Sequence, residues 1–319
     1  MDPGGRRELG GIRWIGASEL LGTLPVSAAA DALIDALRMP SSLPEAPQRS
    51  VIRSGAGQFL AMPAAGDVGA GAKLVTVQPE NPKRGLPLIQ GIFALFSPQT
   101  LAPVALFDGA AITELRAPAV SVVATRFLAR ADAAHLVLFG AGVQGRAHAL
   151  ALIGERPLER VTVIAPGPRA DVLVHDLVAA GVPAVRGDAG AVAAADLVCT
   201  CTTSTEPVLD GRLVAPGAHV NAVGSFQQTT REIDSALLGR SSVFVEDRGV
   251  ALDEAGDLRI PIAEGTFVPE FIAGDLAEVV AGERSRTSVR EITTFKSVGS
   301  AWEDLVVARA AFKLLDPAV

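Results

Sequence analysis

The sequence predicts a two-domain α/β protein: a doubly wound parallel sheet in the middle of the chain and a mixed α+β domain built from its two ends. A chain of 319 residues is long enough for two domains of ordinary size. From His135 onward, continuous apolar strands alternate with helical stretches at the spacing of βαβ units. Earlier, short apolar runs alternate with glycine, as hairpin strands do. We place the mixed domain at 1–126 with 297–319 and the doubly wound domain at 127–296.

The mixed domain is expected to contain one or two helices and a sheet that is not a βαβ series. Apolar residues recur at helical spacing over Pro25–Arg38, and four apolar runs predict strands: FLAMPA, KLVTVQ, LIQGIFALF and APVALFDG. A long helix over Ile112–Arg130 should lead into the second domain. The final helix, Ala301–Leu315, should pack back on the first domain, and we interpret Glu303 and Asp304 as helix-face residues.

Composition and charge exclude several classes of protein. Apolar residues make up 49% and charged residues 20%, which is a globular balance and not a disordered one. The net charge is -7 and no basic block stands out, so we expect neither a nucleic-acid nor a membrane partner. No apolar run reaches the ~20 residues of a membrane span, and the N-terminus lacks the apolar core of a signal peptide.

The two cysteines, Cys199 and Cys201, lie two residues apart in the predicted strand DLVCTCT and should point to the same face. With no cluster of histidines or cysteines expected beside them, we interpret them as buried, reduced thiols and expect no metal site. Two cysteines cannot build a disulfide framework, so we expect a cytoplasmic protein.

A glycine-rich turn directly follows the predicted strand HLVLFG and opens a helix. Its sequence, GAGVQG, fits the G-x-G-x-x-G fingerprint of a Rossmann domain, which requires this strand–turn–helix context. The first glycine allows the tight turn, the second lets backbone approach a pyrophosphate, and the third lets helix and strand pack closely. Free N–H groups at the helix start favour the anion. The residues expected to bind the dinucleotide are Gly140, Gly142, Val143, Gln144 and Gly145.

The end of the next strand, VTVIAPGPRAD, bears on the choice of cofactor. A site for NADH usually has an acidic residue there, on the ribose 2′-hydroxyl, and this strand end has none. Arg169 stands where it could meet a 2′-phosphate, so the sequence favours NADPH over NADH; the alternative for Arg169 is a solvated loop arginine. Thr202 and Thr203 end a further strand at the carboxyl edge of the sheet, where nucleotides bind.

Five segments of the chain are similar to motifs of one family: KLVTVQPENPKRGLPLIQG, LFDGAAITELRAPAVSVVA, FGAGVQGRAHALAL, VNAVGSFQQTTREID and TTFKSVGSAWEDL. On these motifs the chain resembles the ornithine cyclodeaminase/μ-crystallin family over nearly its whole length. The resemblance implies a homodimer whose first domain pairs the subunits and holds substrate. Members of the family include cyclodeaminases, amino-acid dehydrogenases and cyclic ketimine reductases.

The resemblance also implies that two arginines and a lysine of the first domain hold the substrate carboxylate. The lysine matches Lys73 and one arginine matches Arg116; the other matches Arg49 by spacing, with Arg53 as the alternative. The residue types agree, because a lysine in an apolar strand and an arginine in an Ala-rich helix suit a core only when an anion neutralises them.

Internal salt bridges with Glu114 or Asp108 are the alternative interpretation of Lys73 and Arg116. If the cations do cluster around substrate, their mutual repulsion should lower the pKa of the lysine and make it a better proton donor.

Phe226 marks the main departure from the cyclodeaminases, which carry an aspartate two residues after the glycine matched by Gly224. A phenyl ring can neither take a proton nor orient an ammonium by charge. Leu60 similarly replaces an acidic residue of the cyclodeaminase first domain. We therefore expect Phe226 in a substrate pocket that suits a flat cyclic imine better than ornithine. The remaining residues expected to contact the cofactor are Val223, Gly224, Lys296 and Ser297.

These observations predict an NADPH-dependent reductase of cyclic ketimine carboxylates that forms L-proline or L-pipecolate. Arg49 and Arg116 would clamp the carboxylate, and Lys73 would polarise or protonate the imine. One enzyme alternative is an amino-acid dehydrogenase or N-alkyl amino-acid-forming reductase on open-chain 2-oxo acids, and an ornithine cyclodeaminase is the next. The non-enzyme alternative is a μ-crystallin-like protein that binds NADPH and a small ligand.

Overall fold

Two sheets with their surrounding helices make up the computed structural model, which describes residues 8–9 and 12–316. The strands are β1 (Glu8–Leu9), β2 (Ile12–Ile15), β3 (Ser50–Ser54), β4 (Gly57–Gly66), β5 (Gly69–Val77), β6 (Ile89–Phe96), β7 (Pro103–Asp108), β8 (His135–Phe139), β9 (Arg160–Ile164), β10 (Ala184–Arg186), β11 (Leu197–Thr200), β12 (His219–Ala222), β13 (Ser241–Val245), β14 (Ile272–Asp275) and β15 (Ile292–Lys296). The α-helices are α1 (Ala17–Thr23), α2 (Val26–Leu37), α3 (Gly109–Leu128), α4 (Val143–Ile153), α5 (Arg169–Ala179), α6 (Ser235–Leu238), α7 (Arg248–Glu254), α8 (Gly256–Ala263), α9 (Leu276–Val280) and α10 (Ala301–Leu315). Short 3₁₀ helices span Pro40–Ser42, Asn81–Arg84, Ala189–Ala194 and Pro269–Phe271.

Contacts within the chain divide it into two units. Unit 1 is Met1–Arg116 with Ser300–Val319, and unit 2 is Ala117–Gly299. The first segment of unit 1 ends at Arg116, inside α3. The sequence had suggested a domain boundary ten residues later, at residue 126. Because α3 is one unbroken helix, its sequence has no turn signal that could mark the boundary.

Unit 1 contains a mixed sheet, as predicted, but its described strands number seven and not the four predicted, in the order β1-β2-β7-β6-β5-β4-β3. Only β2 and β7 pair in parallel; the other neighbouring strands are antiparallel. The C-terminal helix α10 contacts α2 and strands β4, β5 and β6, so it packs back on the first sheet as expected.

The two faces of this sheet differ in their burial. The cross-strand neighbours Lys73, Phe93 and Phe107 share one face, and all three are buried. On the opposite face, a row of apolar residues crosses five strands and stays partly or largely exposed: Pro63, Ala72, Ala94, Leu106 and Trp14.

α3 begins three residues before the predicted start at 112. Asp108 causes the early start: its Oδ1 accepts backbone N–H bonds from Ala110 at 2.9 Å and Ala111 at 3.0 Å. These are two of the donors that the first turn of a helix leaves without an intrahelical partner. Asp108 is therefore engaged in capping a helix.

Unit 2 contains an eight-stranded sheet in the order β10-β9-β8-β11-β12-β15-β13-β14, with every pair of neighbours parallel. This confirms the doubly wound sheet. The strand order reverses between β8 and β11, which is where ligands bind in such folds. The sequence did not predict β14 and β15, and β15 lies between β12 and β13.

None of the described helices is by itself long and apolar enough to cross a membrane. Helices α1 and α2 reach the required length and composition only as a pair, and they are bent by 73° at the break between them.

Candidate active site and cofactor site

Lys73 lies on the buried face of β5. Its Nζ is 2.8 Å from Asp304 Oδ2 and 3.0 Å from Oδ1, and it donates to Thr113 Oγ1 at 3.3 Å. Strand alternation brings Lys73 to the same face as Val75, and Asp304 approaches from the first turn of α10. A carboxylate from a distant segment of the chain thus neutralises this buried ammonium, as a buried charge requires.

Arg116 joins the cluster from α3. Its Nε lies 3.3 Å from Asp304 Oδ1, and its Nη1 lies 3.3 Å from Glu303 Oε2. The side chains of Glu303 and Asp304 are fully buried, so our interpretation of them as helix-face residues was wrong. Internal salt bridges do form, and they include these two carboxylates of α10. The signal in the sequence was a pair of adjacent acids in the first turn of a mostly apolar helix.

Burial is the main cause that lowers the pKa of Lys73, to about 8 from 10.5. Asp304 opposes this effect and raises the pKa, while the positive charges of Arg116 and Arg49 lower it further. The predicted direction is confirmed, although desolvation contributes more than the like charges. Lys73 is therefore a cation at neutral pH that gives up its proton more readily than an ordinary lysine.

Arg49 is close enough for its charge to lower the pKa of Lys73, whereas Arg53 is not among the causes of that lowered pKa. Arg53 lies in β3, an exposed edge strand. Leu60 is buried in β4, two residues before Met62, which pairs with Lys73 across the strands. These positions support Arg49 for the carboxylate. Leu60, whose cross-strand partner is Val75, lies on the same face of the sheet as Lys73, at the position where cyclodeaminases have an acid.

The glycine turn after β8 has the geometry that a dinucleotide needs. Gly140 has a φ of 104°, a left-handed conformation that favours glycine. A Cβ on Gly145 would lie 2.1 Å from the carbonyl oxygen of Gly140, whereas a Cβ on Gly142 would meet nothing within 4 Å. The third glycine thus permits close packing of α4, and the second leaves open space beside the free N–H groups at the start of α4. Val143 and Gln144 form its first turn.

A cavity of about 310 Å³ lies between the first turns of α4 and α5. Its lining includes Gly142, Val143 and two arginines, Arg146 and Arg169. Arg169 is the first residue of α5 and not a loop residue, and it is exposed. Asp171, the nearest acid in the sequence, pairs with Arg186 at 2.6 Å. The cavity is therefore lined by two arginines and one acid, Asp176, beside the glycine turn.

The ends of β11 and β12 meet at a buried carboxylate that sequence reasoning missed. Glu232 Oε1 accepts the N–H of Thr202 at 2.6 Å, and Oε2 accepts the N–H of Gly224 at 2.6 Å and the hydroxyl of Thr200 at 2.8 Å. The backbone N–H groups of Val223 and Gly224 also donate to Thr200 O. Glu232 thus fixes two of the loops expected to contact the cofactor; Thr203 follows Thr202 and is exposed.

Lys296 is fully buried and serves the same region from β15. Its Nζ is 2.9 Å from Asp257 Oδ2 and donates to the carbonyl oxygens of Ala222 at 3.1 Å and Ser225 at 2.6 Å. The Lys296 ammonium is thus buried, paired with a carboxylate and hydrogen-bonded to two carbonyl oxygens of this chain, so the geometry argues against the direct cofactor contact that we expected of Lys296. Ser297 is also buried, and its backbone N–H donates to Ala222 O at 3.2 Å.

Phe226 is half-buried and packs against the hydrophobic core of unit 2. Its loop is closed by Ser225 Oγ, which donates to Thr230 O at 2.5 Å. The phenyl ring therefore contributes to the core. Its presence also means that this loop lacks the carboxylate that cyclodeaminases carry at this position.

Cys199 and Cys201 point to the same face, as predicted, with their Sγ atoms 3.6 Å apart. The expectation that no histidine accompanies them was wrong, because the potential ligand atoms of His148 and both cysteines lie within 4.8 Å of one another. His148 is buried, with Nδ1 2.8 Å from Gln144 O and Nε2 3.0 Å from Ser121 Oγ. Burial raises the pKa of Cys201 well above its usual range, which keeps this thiol protonated.

A Rossmann-type glycine turn in one unit and a buried lysine–arginine–carboxylate cluster in the other define the class of this protein: nicotinamide-dependent oxidoreductases. The profile of the ornithine cyclodeaminase/mu-crystallin family matches residues 17–315. The chain belongs to this family, which confirms the resemblance drawn from its motifs.

Relatives of known activity support the same class. The Δ(1)-pyrroline-2-carboxylate reductase of Paracoccus denitrificans is 38% identical over 285 residues, covering 86% of this chain and 89% of that protein. The Thermococcus litoralis Δ(1)-pyrroline-2-carboxylate reductase, solved with NADH and L-proline, has a TM-score of 0.90 at 34% identity and covers 96% of this chain and 98% of its own. An archaeal alanine dehydrogenase dimer with bound NAD also has a TM-score of 0.90, at 28% identity, over 96% of this chain and 97% of its own.

Proposed function

We propose that this chain is an NADPH-dependent reductase of cyclic ketimine carboxylates, converting Δ1-pyrroline-2-carboxylate and Δ1-piperideine-2-carboxylate to L-proline and L-pipecolate. The observation that carries the proposal is the combination of a buried Lys73–Asp304–Arg116 cluster with apolar residues, Phe226 and Leu60, at the two positions where cyclodeaminases carry acids. Relatives at 38% and 34% identity are reductases of Δ(1)-pyrroline-2-carboxylate.

The buried cluster can bind the acid group and protonate the imine. Arg49 and Arg116 offer planar guanidinium groups to the carboxylate, and Glu303 and Asp304 orient Arg116. Lys73, with its pKa lowered to about 8, donates a proton to the imine nitrogen. Asp304 holds the Lys73 ammonium in place.

NADPH would be held by the glycine turn and by Arg169, and when bound it supplies the hydride for C2 of the imine. The fit rests on the open space at Gly142 and on the arginine-lined cavity beside it. Two similar solved structures contain NADH or NAD, so the preference for the 2′-phosphate is specific to this proposal.

We also propose a homodimer that pairs through the exposed face of the unit 1 sheet. The apolar row from Pro63 to Trp14 leaves a broad hydrophobic strip that a second copy would cover. One similar structure is a dimer.

The decisive experiment supplies each substrate separately and follows both cofactor and product. With Δ1-pyrroline-2-carboxylate or Δ1-piperideine-2-carboxylate and NADPH, we expect cofactor oxidation and formation of L-proline or L-pipecolate. With ornithine and NAD, we expect neither proline nor ammonia. Proline and ammonia from ornithine, with no NADPH oxidation by the cyclic imines, would overturn the proposal. Pyruvate or another 2-oxo acid with ammonia or methylamine tests the open-chain alternative.

A further inference from the structure

The Glu232 carboxylate is a buried charge without a counter-ion. Glu232 is fully buried, and across residues 8–9 and 12–316 no lysine, arginine or histidine forms an ion pair with it. Its neighbour in sequence, Arg231, pairs instead with Glu264 at 3.1 Å. Two backbone N–H groups and the Thr200 hydroxyl donate to its two oxygens, so the carboxylate serves only as an acceptor in this network.

The surrounding network does not neutralise this charge. Lys296 pairs with Asp257 at 2.9 Å, and Asp257 Oδ1 accepts the backbone N–H groups of Glu232 at 2.6 Å and Ile233 at 3.0 Å. Two carboxylates therefore share one ammonium in this buried group, which leaves one negative charge. A buried, uncompensated charge is costly to a fold, so its presence points to a function.

The position of Glu232 indicates what it serves. Its oxygens bind the loops that leave β11 and β12, at the carboxyl edge of the parallel sheet. The arginine-lined cavity lies on the other side of the reversal in strand order, beside the loops after β8 and β9. A dinucleotide that spans the reversal with its adenosine half at this cavity has its nicotinamide half over β11 and β12.

We propose that Glu232 is a positioning residue whose charge favours the oxidised, cationic nicotinamide ring over the reduced, neutral one. The same charge would assist the loss of hydride, because the ring becomes positive as hydride leaves. Close packing of Gly224 permits this geometry, since a Cβ there would lie 2.6 Å from Glu232 Oε1. The inference rests on the nicotinamide cofactor of the proposed function and is independent of the substrate.

The test compares dissociation constants of oxidised and reduced cofactor in Glu232→Gln, without substrate. We expect the ratio Kd(oxidised)/Kd(reduced) to rise about five- to thirtyfold, the Coulomb effect of one charge over about 8 to 15 Å at an effective dielectric constant of about 20. Both constants will rise as well, because the glutamine NH₂ must face a backbone donor. Isothermal titration calorimetry is done with NADP⁺ and NADPH and again with NAD⁺ and NADH. Using both pairs makes the result independent of any preference for the 2′-phosphate.

Two further variants separate charge from structure. Lys296→Met removes the cation of the network, so the ratio should fall, whereas Thr200→Val removes one hydrogen bond but no charge and should leave it unchanged. An unchanged ratio in Glu232→Gln, or a shift of the same sign in Glu232→Gln and Lys296→Met, overturns the proposal. If Glu232→Gln does not fold, the measurement on Lys296→Met alone tests the proposal. A ratio Kd(oxidised)/Kd(reduced) that does not fall in Lys296→Met then overturns the proposal.

These experiments distinguish a failure of the proposed function from a failure of the role proposed for Glu232. A protein that shows these shifts but reduces no cyclic ketimine would contradict only the substrate assignment. A reductase with unshifted ratios would contradict only the role of Glu232.

Discussion

At the scale of single residues, the chemistry of unit 1 depends on how the charge of Lys73 is balanced. Burial and the neighbouring arginines favour loss of its proton, and Asp304 opposes that loss. A lysine left to burial alone would be neutral and could donate nothing to an imine. Asp304 therefore keeps the proton available near neutral pH while Glu303 binds Arg116.

The balance predicts the pH dependence of imine reduction. Lys73 must be protonated to donate, and with its pKa lowered to about 8 the turnover number should fall as pH rises through about 8. Asp304→Asn removes the charge that raises this pKa, so the fall should move to lower pH. Profiles of kcat against pH for both proteins measure the shift.

Glu303→Gln is the matched control for Asp304→Asn. Glu303 is just as buried and pairs with Arg116, but it is not among the causes that shift the pKa of Lys73. Its profile should keep the wild-type midpoint even if activity drops. Equal displacement of the midpoint in both variants, or none in Asp304→Asn, would show that Lys73 is not the titrating donor.

The proposed preference for NADPH rests on a single side chain. A charge-assisted bond from Arg169 to a 2′-phosphate would contribute roughly 1.5 to 3 kcal/mol, or about ten- to a hundredfold in affinity. Arg169→Ala should weaken NADPH by that factor and leave NADH nearly unchanged in fluorescence titrations. Arg160→Ala, which alters an exposed arginine at the amino end of β9, is the control. Equal losses for both cofactors would contradict the assignment.

The sequence predicted the cations of the unit 1 cluster but not its anions. The family resemblance pointed to Lys73 and Arg116, and their residue types agreed with it, because charged residues in apolar segments need partners. The partners are Glu303 and Asp304, almost 200 residues from Arg116 along the chain, and no local pattern connects them. Glu232 was missed for a related reason, because its importance comes from two backbone N–H groups in loops whose approach only the fold creates.

At the scale of elements, the glycine turn was predictable because its constraints are local. The strand, the turn and the start of α4 form one continuous segment, and each glycine has a steric role. In contrast, β15 lies between β12 and β13 although it comes last along the chain, and periodicity cannot reveal such an insertion. Its sequence, ITTFK, is short, and its buried lysine is paired with Asp257, a residue from a different part of the chain.

The glycine turn allows a paired test of fold and ligand. In Gly145→Ala, the new methyl group would lie 2.1 Å from Gly140 O, so α4 must shift and stability should fall by about 1–3 kcal/mol. In Gly142→Ala, the methyl group meets no protein atom within 4 Å, so stability should hold while cofactor affinity falls. Thermal melts and cofactor titrations on both variants provide the comparison. Unchanged cofactor affinity in Gly142→Ala would contradict a pyrophosphate at this turn.

At the scale of the whole molecule, the unit 1 sheet has one face covered by its own helices and an opposite face that carries exposed apolar residues. Lys73 and its buried partners lie on the covered face, so the opposite face is not needed for chemistry within the unit. The sequence suggested this by the strand LIQGIFALF, which is apolar on both of its faces.

A homodimer paired through that face makes the last prediction. The wild-type chain should sediment at about 66 kDa, twice its 32.8 kDa, at micromolar concentration. Leu106→Glu places a charge in the apolar row between Ala94 and Trp14, so burial against a second copy would strand it without a partner and the dimer should dissociate. Leu213→Glu, at a leucine of unit 2 that is 45% exposed, should remain dimeric. Melting curves check that both variants fold. A monomeric wild type, or a Leu106→Glu variant that sediments as the wild-type dimer does, would place the contact between subunits on another surface.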